Sequence, residues 1–298
     1  MDQFNVYKDM KARTNGEIYI GVVGPVRTGK STFIKRFMNL MVLPNIEDEN
    51  DRNRANDELP QSSSGKTIMT TEPKFVPNEA VSIKTEEGIE LNVRLIDCVG
   101  YMVEGATGHM EGEEERLVKT PWFDYEIPFT KAAAIGTKKV ITEHSTIGVV
   151  VTCDGSFGEI AAKQYEPAEE ETIKQLKALK KPFVVLLNTI HPYSESTKQL
   201  AAEKEEKYQT KVLPMNLEQM KKEDIYEIIK SVLMEFPISS IGFYVPRWTE
   251  MLKKDHPLKM ELLQMARDVI TEKTTMRDIY EEQEKEYEYI TGQKLESV

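Results

Sequence analysis

Ile18-Tyr19-Ile20-Gly21-Val22-Val23-Gly24-Pro25-Val26-Arg27-Thr28-Gly29-Lys30-Ser31-Thr32 is the stretch whose reading decides the fold. The β-branched run before Gly24 predicts a strand, and Phe33-Ile34-Lys35-Arg36-Phe37-Met38 is helix-permissive. Between them, Gly24-x-x-x-x-Gly29-Lys30-Ser31 has the spacing of the Walker A phosphate loop, in the strand–loop–helix context that this motif requires. Glycines at both ends let the backbone bring its N–H groups onto phosphate oxygens, and the start of the next helix adds partial positive charge. Gly24, Thr28, Gly29, Lys30, Ser31 and Thr32 are therefore candidate nucleotide-binding residues. Lys30 is expected to reach the β- and γ-phosphates and Ser31 to ligate Mg²⁺. Arg27, also within the loop, faces either the phosphates, a neighbouring subunit or solvent.

Downstream, Glu47 to Ser64 is acidic and amide-rich without apolar periodicity, and reads as a mobile connection. Within it Ser64-Gly65-Lys66-Thr67 mimics the end of a Walker A motif, but no strand precedes it and the first glycine is missing. Thr70 and Thr71 follow, ahead of a candidate strand at Lys74-Phe75-Val76, where GTPase-like proteins put switch I. Both are candidates for closing over Mg²⁺ and the γ-phosphate, Thr71 as a metal ligand. Val81 to Lys84 and Glu90 to Ile96 alternate with period two around Glu86-Glu87-Gly88, a hairpin signal. The second strand ends in Asp97-Cys98-Val99-Gly100, which matches Walker B merged with the DxxG of switch II. Asp97 is the expected Mg²⁺ carboxylate, and the Gly100 N–H is expected to meet the γ-phosphate.

Residues 101–146 hold a Thr120-Pro121-Trp122-Phe123 cluster, and only Lys131 to His144 looks helical. A loop this long is functional or mobile. Trp122 and Phe123 form either a satellite core or a partner-contacting face. Strands at Ile147–Cys153, Pro182–Asn188 and Lys211–Met215 then alternate with helices at Glu166–Leu179, Lys198–Tyr208 and Lys222–Glu235. That alternation predicts an α/β fold of the P-loop NTPase, GTPase-like kind. A mostly parallel sheet has helices on both faces and binds ligand at the carboxyl ends of its strands. Ile241 to Val245 reads as one more strand, and Arg247 to Tyr289 as a charged helical extension with a soft boundary near 237–246. The division is thus 1–240 for the nucleotide domain and 241–298 for the extension.

Guanine-specific proteins carry Asn-Lys-x-Asp at the base; here the matching strand end reads Asn188-Thr189-Ile190-His191-Pro192. Asn188 remains a candidate site residue, but the base-reading carboxylate is missing, so ATP is favoured over GTP. Tyr101 stands where many GTPases carry a water-orienting glutamine, which predicts slow turnover. The four histidines have no ligand spacing, so no metal beyond Mg²⁺ is expected. With a formal net charge of −11 in 298 residues, no global field attracts nucleic acid. Cys98 and Cys153 form no metal or CxxC spacing and suit a reduced, cytoplasmic chain. No apolar stretch approaches the roughly 20 residues of a spanning helix, so membrane contact is expected to be peripheral or through a partner.

Val23 to Phe33, Val42-Leu43-Pro44-Asn45-Ile46, Asp57 to Ser62, Gly65 to Pro77, Asp97 to Tyr101 and Thr120-Pro121-Trp122 together resemble the stage IV sporulation protein A family. The likeness runs from about residue 6 to about residue 257, and the helical tail matches more loosely. Family members continue past residue 298, so the chain is expected to be an N-terminal part. The resemblance implies an ATPase of the spore coat basement layer, with ATP hydrolysis driving self-assembly. The place implied is the outer forespore surface, on the mother-cell cytoplasmic side. A small amphipathic peptide is implied as membrane adaptor, with other coat proteins as partners. It makes Lys30 and Ser31 the phosphate and Mg²⁺ ligands, Asp97 the Walker B carboxylate, and Thr70 and Thr71 the nucleotide-sensing threonines. A GTPase-like binding switch, or a scaffold with structurally bound nucleotide, is the alternative reading.

Overall fold

The computed structural model describes residues 14, 16–60, 72–84, 88, 90–112, 114–238 and 241–280. Thr70, Thr71 and the Ser64-Gly65-Lys66-Thr67 decoy lie outside them, as does most of the lead-in.

β1 (Glu17–Val23) is the centre of a six-stranded sheet, because it pairs in parallel on both sides. On one side lies β3 (Glu90–Asp97), followed by the antiparallel edge strand β2 (Lys74–Lys84). On the other lie β8 (Ile147–Cys153), β9 (Phe183–Asn188) and β10 (Val212–Met215), all parallel. The order is β10-β9-β8-β1-β3-β2. β8 and β9 are buried along their whole length, as their unbroken apolar runs require of strands covered on both faces. β2 runs through Pro77 by shifting register between Val76 and Val81, which an edge strand tolerates.

Side chains alternate across β1, and the helices divide accordingly. Val23 joins Ile96, Val150, Val185 and Leu187 on one face, under Ile173 and Leu176 of α4 (Ala162–Ala178) and Ala201 and Tyr208 of α5 (Glu195–Tyr208). α1 (Lys30–Phe37) packs on β1 and β3 through Phe33, Ile34 and Phe37. Arg36 of the same helix donates Nη2 to the carbonyl of Met220 at 2.6 Å, just ahead of α6 (Lys222–Met234).

Two expectations change here. The segment from Glu47 holds a helix, α2 (Glu49–Asp57), where a mobile connection was expected. Local signals suffice without apolar periodicity: the Asp48 carboxylate accepts from Asp51 N at 2.9 Å, and Glu49 and Asp51 place negative charge at the helix start. Residues 101–146 are likewise more ordered than a long loop. They contain the short pair β4 (Met110–Glu111) and β5 (Glu114–Glu115), then a hairpin of β6 (Leu117–Thr120) and β7 (Phe123–Pro128). α3 (Phe129–Lys139) follows and continues as a wider turn through His144.

The chain divides into two compact units at Leu233 and Met234. In the second, Ile238 N donates to Thr274 O and Met276 N to Phe236 O, each at 3.0 Å, closing a loop. Within that loop, 241–246 forms no strand; the run ends at Pro246 and leaves Tyr244 fully exposed. The continuous helix expected from Arg247 is broken into a short turn at Arg247–Met251, α7 (Pro257–Glu272) and α8 (Met276–Tyr280). Pro257, which lacks an N–H, stands at the first turn of α7, where that loss costs nothing.

Candidate nucleotide-binding site

The loop from Gly24 to Gly29 leaves β1 at the carboxyl edge of the sheet and turns into α1. Gly24 (φ 127°) lies so close to the Val151 carbonyl of β8 that a Cβ would collide with it, so only glycine lets the chain pass. Gly29 caps α1 in the left-handed region, and the first bond back along the helix is Phe33 N to Gly29 O at 2.9 Å. The amides of Lys30, Ser31 and Thr32 therefore have no acceptor within the helix, and with the helix dipole they make an anion seat.

Two buried polar groups hold the loop in shape. The Thr28 hydroxyl donates to Pro25 O at 3.0 Å, and Asn188 Nδ2, at the end of β9, donates to Thr28 O at 3.0 Å. The other end of the same amide accepts from Leu217 N at 3.2 Å. Asn188 thus braces the phosphate loop against the segment after β10.

Lys30 is buried, and its Nζ donates to the carbonyls of Pro25 and Gly24. Burial pushes its ammonium down from the ordinary lysine range, while Cys98 and Asp97 oppose that shift. Val22 lies opposite Asp97 in the β1–β3 register, which sets the carboxylate beside the loop. Ser31 Oγ donates to Asp97 Oδ2 at 3.4 Å, and Asp97 Oδ1 is buried with no hydrogen-bond partner. Burial pushes Asp97 up to about 6, and the nearby Lys30 opposes the shift. An unpartnered buried carboxylate oxygen next to a serine hydroxyl suits a hard divalent cation with oxygen ligands. Among the described residues no cluster of three or more His, Cys, Asp or Glu offers a different metal site. Cys98 is pushed up to about 11 by burial, so it is no nucleophile here.

Gly100 and Arg27 each find a protein partner. Gly100 (φ 95°) presses against Gly24 O and Lys30 Nζ, and its N–H donates to Thr137 Oγ1 of α3 at 3.2 Å. Arg27 turns outward, where Nη2 donates to Thr107 O at 3.2 Å and to Thr107 Oγ1 at 3.0 Å. Tyr101 stitches the phosphate loop to the segment after Asp97, accepting from Val26 N at 2.9 Å and donating its own N–H to Gly24 O at 3.3 Å. Its phenol donates to Gln175 Oε1 at 2.8 Å, away from the position of a water-orienting side chain. Thr107 and Thr137 carried no signal in the sequence, since each lies in a different element from the group it meets. Only the bias of threonine against helix interiors marks Thr137.

At the base end Thr189 is fully buried, and its hydroxyl accepts from His191 N at 3.1 Å. Ile190 N donates to Ser156 Oγ at 3.1 Å, and no carboxylate follows Asn188 in this strand end.

Residues 1–237 match the family model described as the ATPase domain of stage IV sporulation protein A, and 238–298 match its middle domain. The chain belongs to the stage IV sporulation protein A family. It is 54% identical over 275 residues to stage IV sporulation protein A of Clostridioides difficile strain 630, covering 92% of this chain and 56% of that one. With the Bacillus anthracis protein it shares 49% over 279 residues, and with that of Bacillus subtilis strain 168 48%, each covering 94% of this chain and 57% of the relative. The chain spans just over half the length of these relatives. A GTP-binding protein of Sulfolobus solfataricus in complex with GDP aligns over 76% of this chain and 55% of its own, at 14% identity and a TM-score of 0.41. The whole candidate site lies within the part matched by the ATPase-domain model of the stage IV sporulation protein A family.

Proposed function

We propose that this chain binds ATP with Mg²⁺ and hydrolyses it slowly to ADP and phosphate, and that hydrolysis drives self-assembly of the spore coat basement layer. The observation that carries the reading is the pair of buried groups at one strand edge. Lys30 is held on loop carbonyls that phosphate oxygens can replace, and Asp97 has a carboxylate oxygen without a partner. Ser31 and Asp97 would hold Mg²⁺, with Thr71 from outside the described residues as a third ligand. A cation held by these residues would supply positive charge against the phosphate oxygens. The amides of Lys30, Ser31 and Thr32 orient the phosphates, and Gly24 and Gly29 permit their close approach. Tyr101 in the glutamine position makes turnover slow, because its phenol is turned onto Gln175 Oε1. Thr70 and Thr71 then sense nucleotide, as the family resemblance has it.

The family resemblance supports the mother-cell cytoplasm at the outer forespore surface as the place of action. A small amphipathic peptide serves as membrane adaptor, and other coat proteins assemble on the polymer. Among the described residues no helix is long and apolar enough to cross a membrane, which agrees with attachment through a partner. Phosphate release from ATP and from GTP, measured beside nucleotide-dependent sedimentation, tests the reading. Turnover of ATP with pelleting supports it. A preference of 100-fold for GTP, about 2.7 kcal/mol, points instead to a GTPase-like switch, and binding without turnover over hours to a scaffold.

A further inference from the structure

We propose that Thr137 is a positioning residue that sets the preference of the site for nucleoside triphosphate over diphosphate and relays that preference to the β6–β7 hairpin. The proposal rests on the nucleotide reading above and concerns a residue to which that reading gives no role.

A backbone N–H has a single proton to donate. The Gly100 Cα packs so close to Lys30 Nζ that a Cβ would collide with it, which puts this glycine where a γ-phosphate would be met, yet its N–H donates to Thr137 Oγ1 at 3.2 Å. Thr137 is fully buried, and its own proton goes to Ala133 O at 2.8 Å, so its oxygen is an acceptor fixed in direction. Two acceptors therefore compete for one proton. An anionic phosphate oxygen wins over a neutral hydroxyl, because a charge-assisted bond is stronger. Its advantage is reduced by the bond that Thr137 loses, since a buried hydroxyl oxygen left without its donor is costly. A diphosphate has no γ-oxygen and leaves the Gly100–Thr137 bond intact.

The same residue ties the phosphate site to the hairpin. Two positions beyond Thr137, Lys139 Nζ lies 5.8 Å from the centre of the Trp122 ring at the hairpin turn. Lys131, at the start of the same helix, lies 5.9 Å from that of Phe123. Phe129 N donates to Arg116 O at 2.9 Å and Thr130 N to Glu115 Oε1 at 2.7 Å, so the helix start is bonded to the base of the hairpin as well. A helix held at both ends to one hairpin passes on a change at Thr137 to Trp122.

The test uses the full chain with Trp248→Phe, leaving Trp122 as the fluorescent reporter. Dissociation constants are measured for ADP and for a non-hydrolysable ATP analogue, both with Mg²⁺, in wild type, Thr137→Val and Thr137→Ser. Thr137→Val is expected to tighten the analogue about threefold to tenfold while leaving ADP unchanged, and to shrink the analogue-specific change in Trp122 emission. Thr137→Ser, which keeps the acceptor, is expected to restore both. If the valine variant does not fold, the wild-type emission and the serine variant decide the matter. Equal Trp122 emission with ADP and the analogue in wild type overturns the relay, and a serine variant with an altered affinity ratio overturns the positioning role. An unchanged ratio in a folded valine variant also overturns that role while leaving the ATPase reading intact. Failure of wild type to bind either nucleotide overturns both.

Discussion

At the phosphate end of the site Lys30 rests on neutral carbonyls and Asp97 has an oxygen without a partner, whereas at the base end Asn188 bonds to Thr28 and Leu217 and His191 N donates to Thr189 Oγ1. Burial shifts both groups at the first end toward neutrality, Lys30 downward and Asp97 up to about 6. The second end presents a satisfied amide, a hydroxyl turned inward and no carboxylate. The first arrangement favours any ligand that brings phosphate and a cation. The second gives little to distinguish one purine from another. On the proposed function, affinity would come from the first end and base preference from the second, and each could be disturbed alone.

Lys30→Ala should have the largest effect. It removes the cation that the proposed function places on phosphate, and turnover should fall by about 10²–10³-fold with ATP and GTP alike. A steady-state assay with both nucleotides checks this, and an unequal loss would join the two ends after all. Asn188→Ala comes next. It leaves the Thr28 carbonyl and the Leu217 amide without partners, so thermal unfolding should show a loss of about 1–3 kcal/mol. The ATP-to-GTP ratio should stay unchanged, because both ends of the Asn188 amide are committed to Thr28 and Leu217.

The pH dependence has a sign that separates free from bound protein. Since the folded Asp97 titrates at about 6, above its ordinary 3.8, the unliganded protein takes up a proton at this group on folding. Its contribution to stability is therefore greatest below the ordinary value and falls as pH rises toward about 6. Cation binding needs the carboxylate, so Mg²⁺-dependent nucleotide affinity should run the other way, falling about tenfold per pH unit below that point. Titration across this range, with Asp97→Asn as the variant that lacks both slopes, checks the assignment. The smallest effect is expected from His191→Asp, which restores a carboxylate at the base end. The GTP-to-ATP affinity ratio should rise by about tenfold or less, since the position is exposed.

Much of this is legible in the sequence alone. β1, its glycine loop and α1 follow from one uninterrupted stretch whose strand pattern, turn residues and helix start agree with each other. The β2–β3 hairpin and the parallel strands β8, β9 and β10 were likewise readable, from period two in the first case and from apolar runs in the others. α2 was missed because it is held by its cap and by charges at its ends, with Ala55 as its single buried residue. The strand expected at Ile241–Val245 failed for the opposite reason: strand-forming residues make no strand without a partner edge.

The sequence by itself determined that a phosphate-binding loop follows the first strand and that an acid ends the strand pairing with it, because both are local patterns dictated by backbone sterics and strand periodicity. Only the tertiary structure decided where Gly100, Arg27 and Tyr101 direct their hydrogen bonds. Their partners Thr137, Thr107 and Gln175 come from separate elements, and which acceptor a buried donor finds depends on how those elements pack, a choice made between residues far apart in the chain.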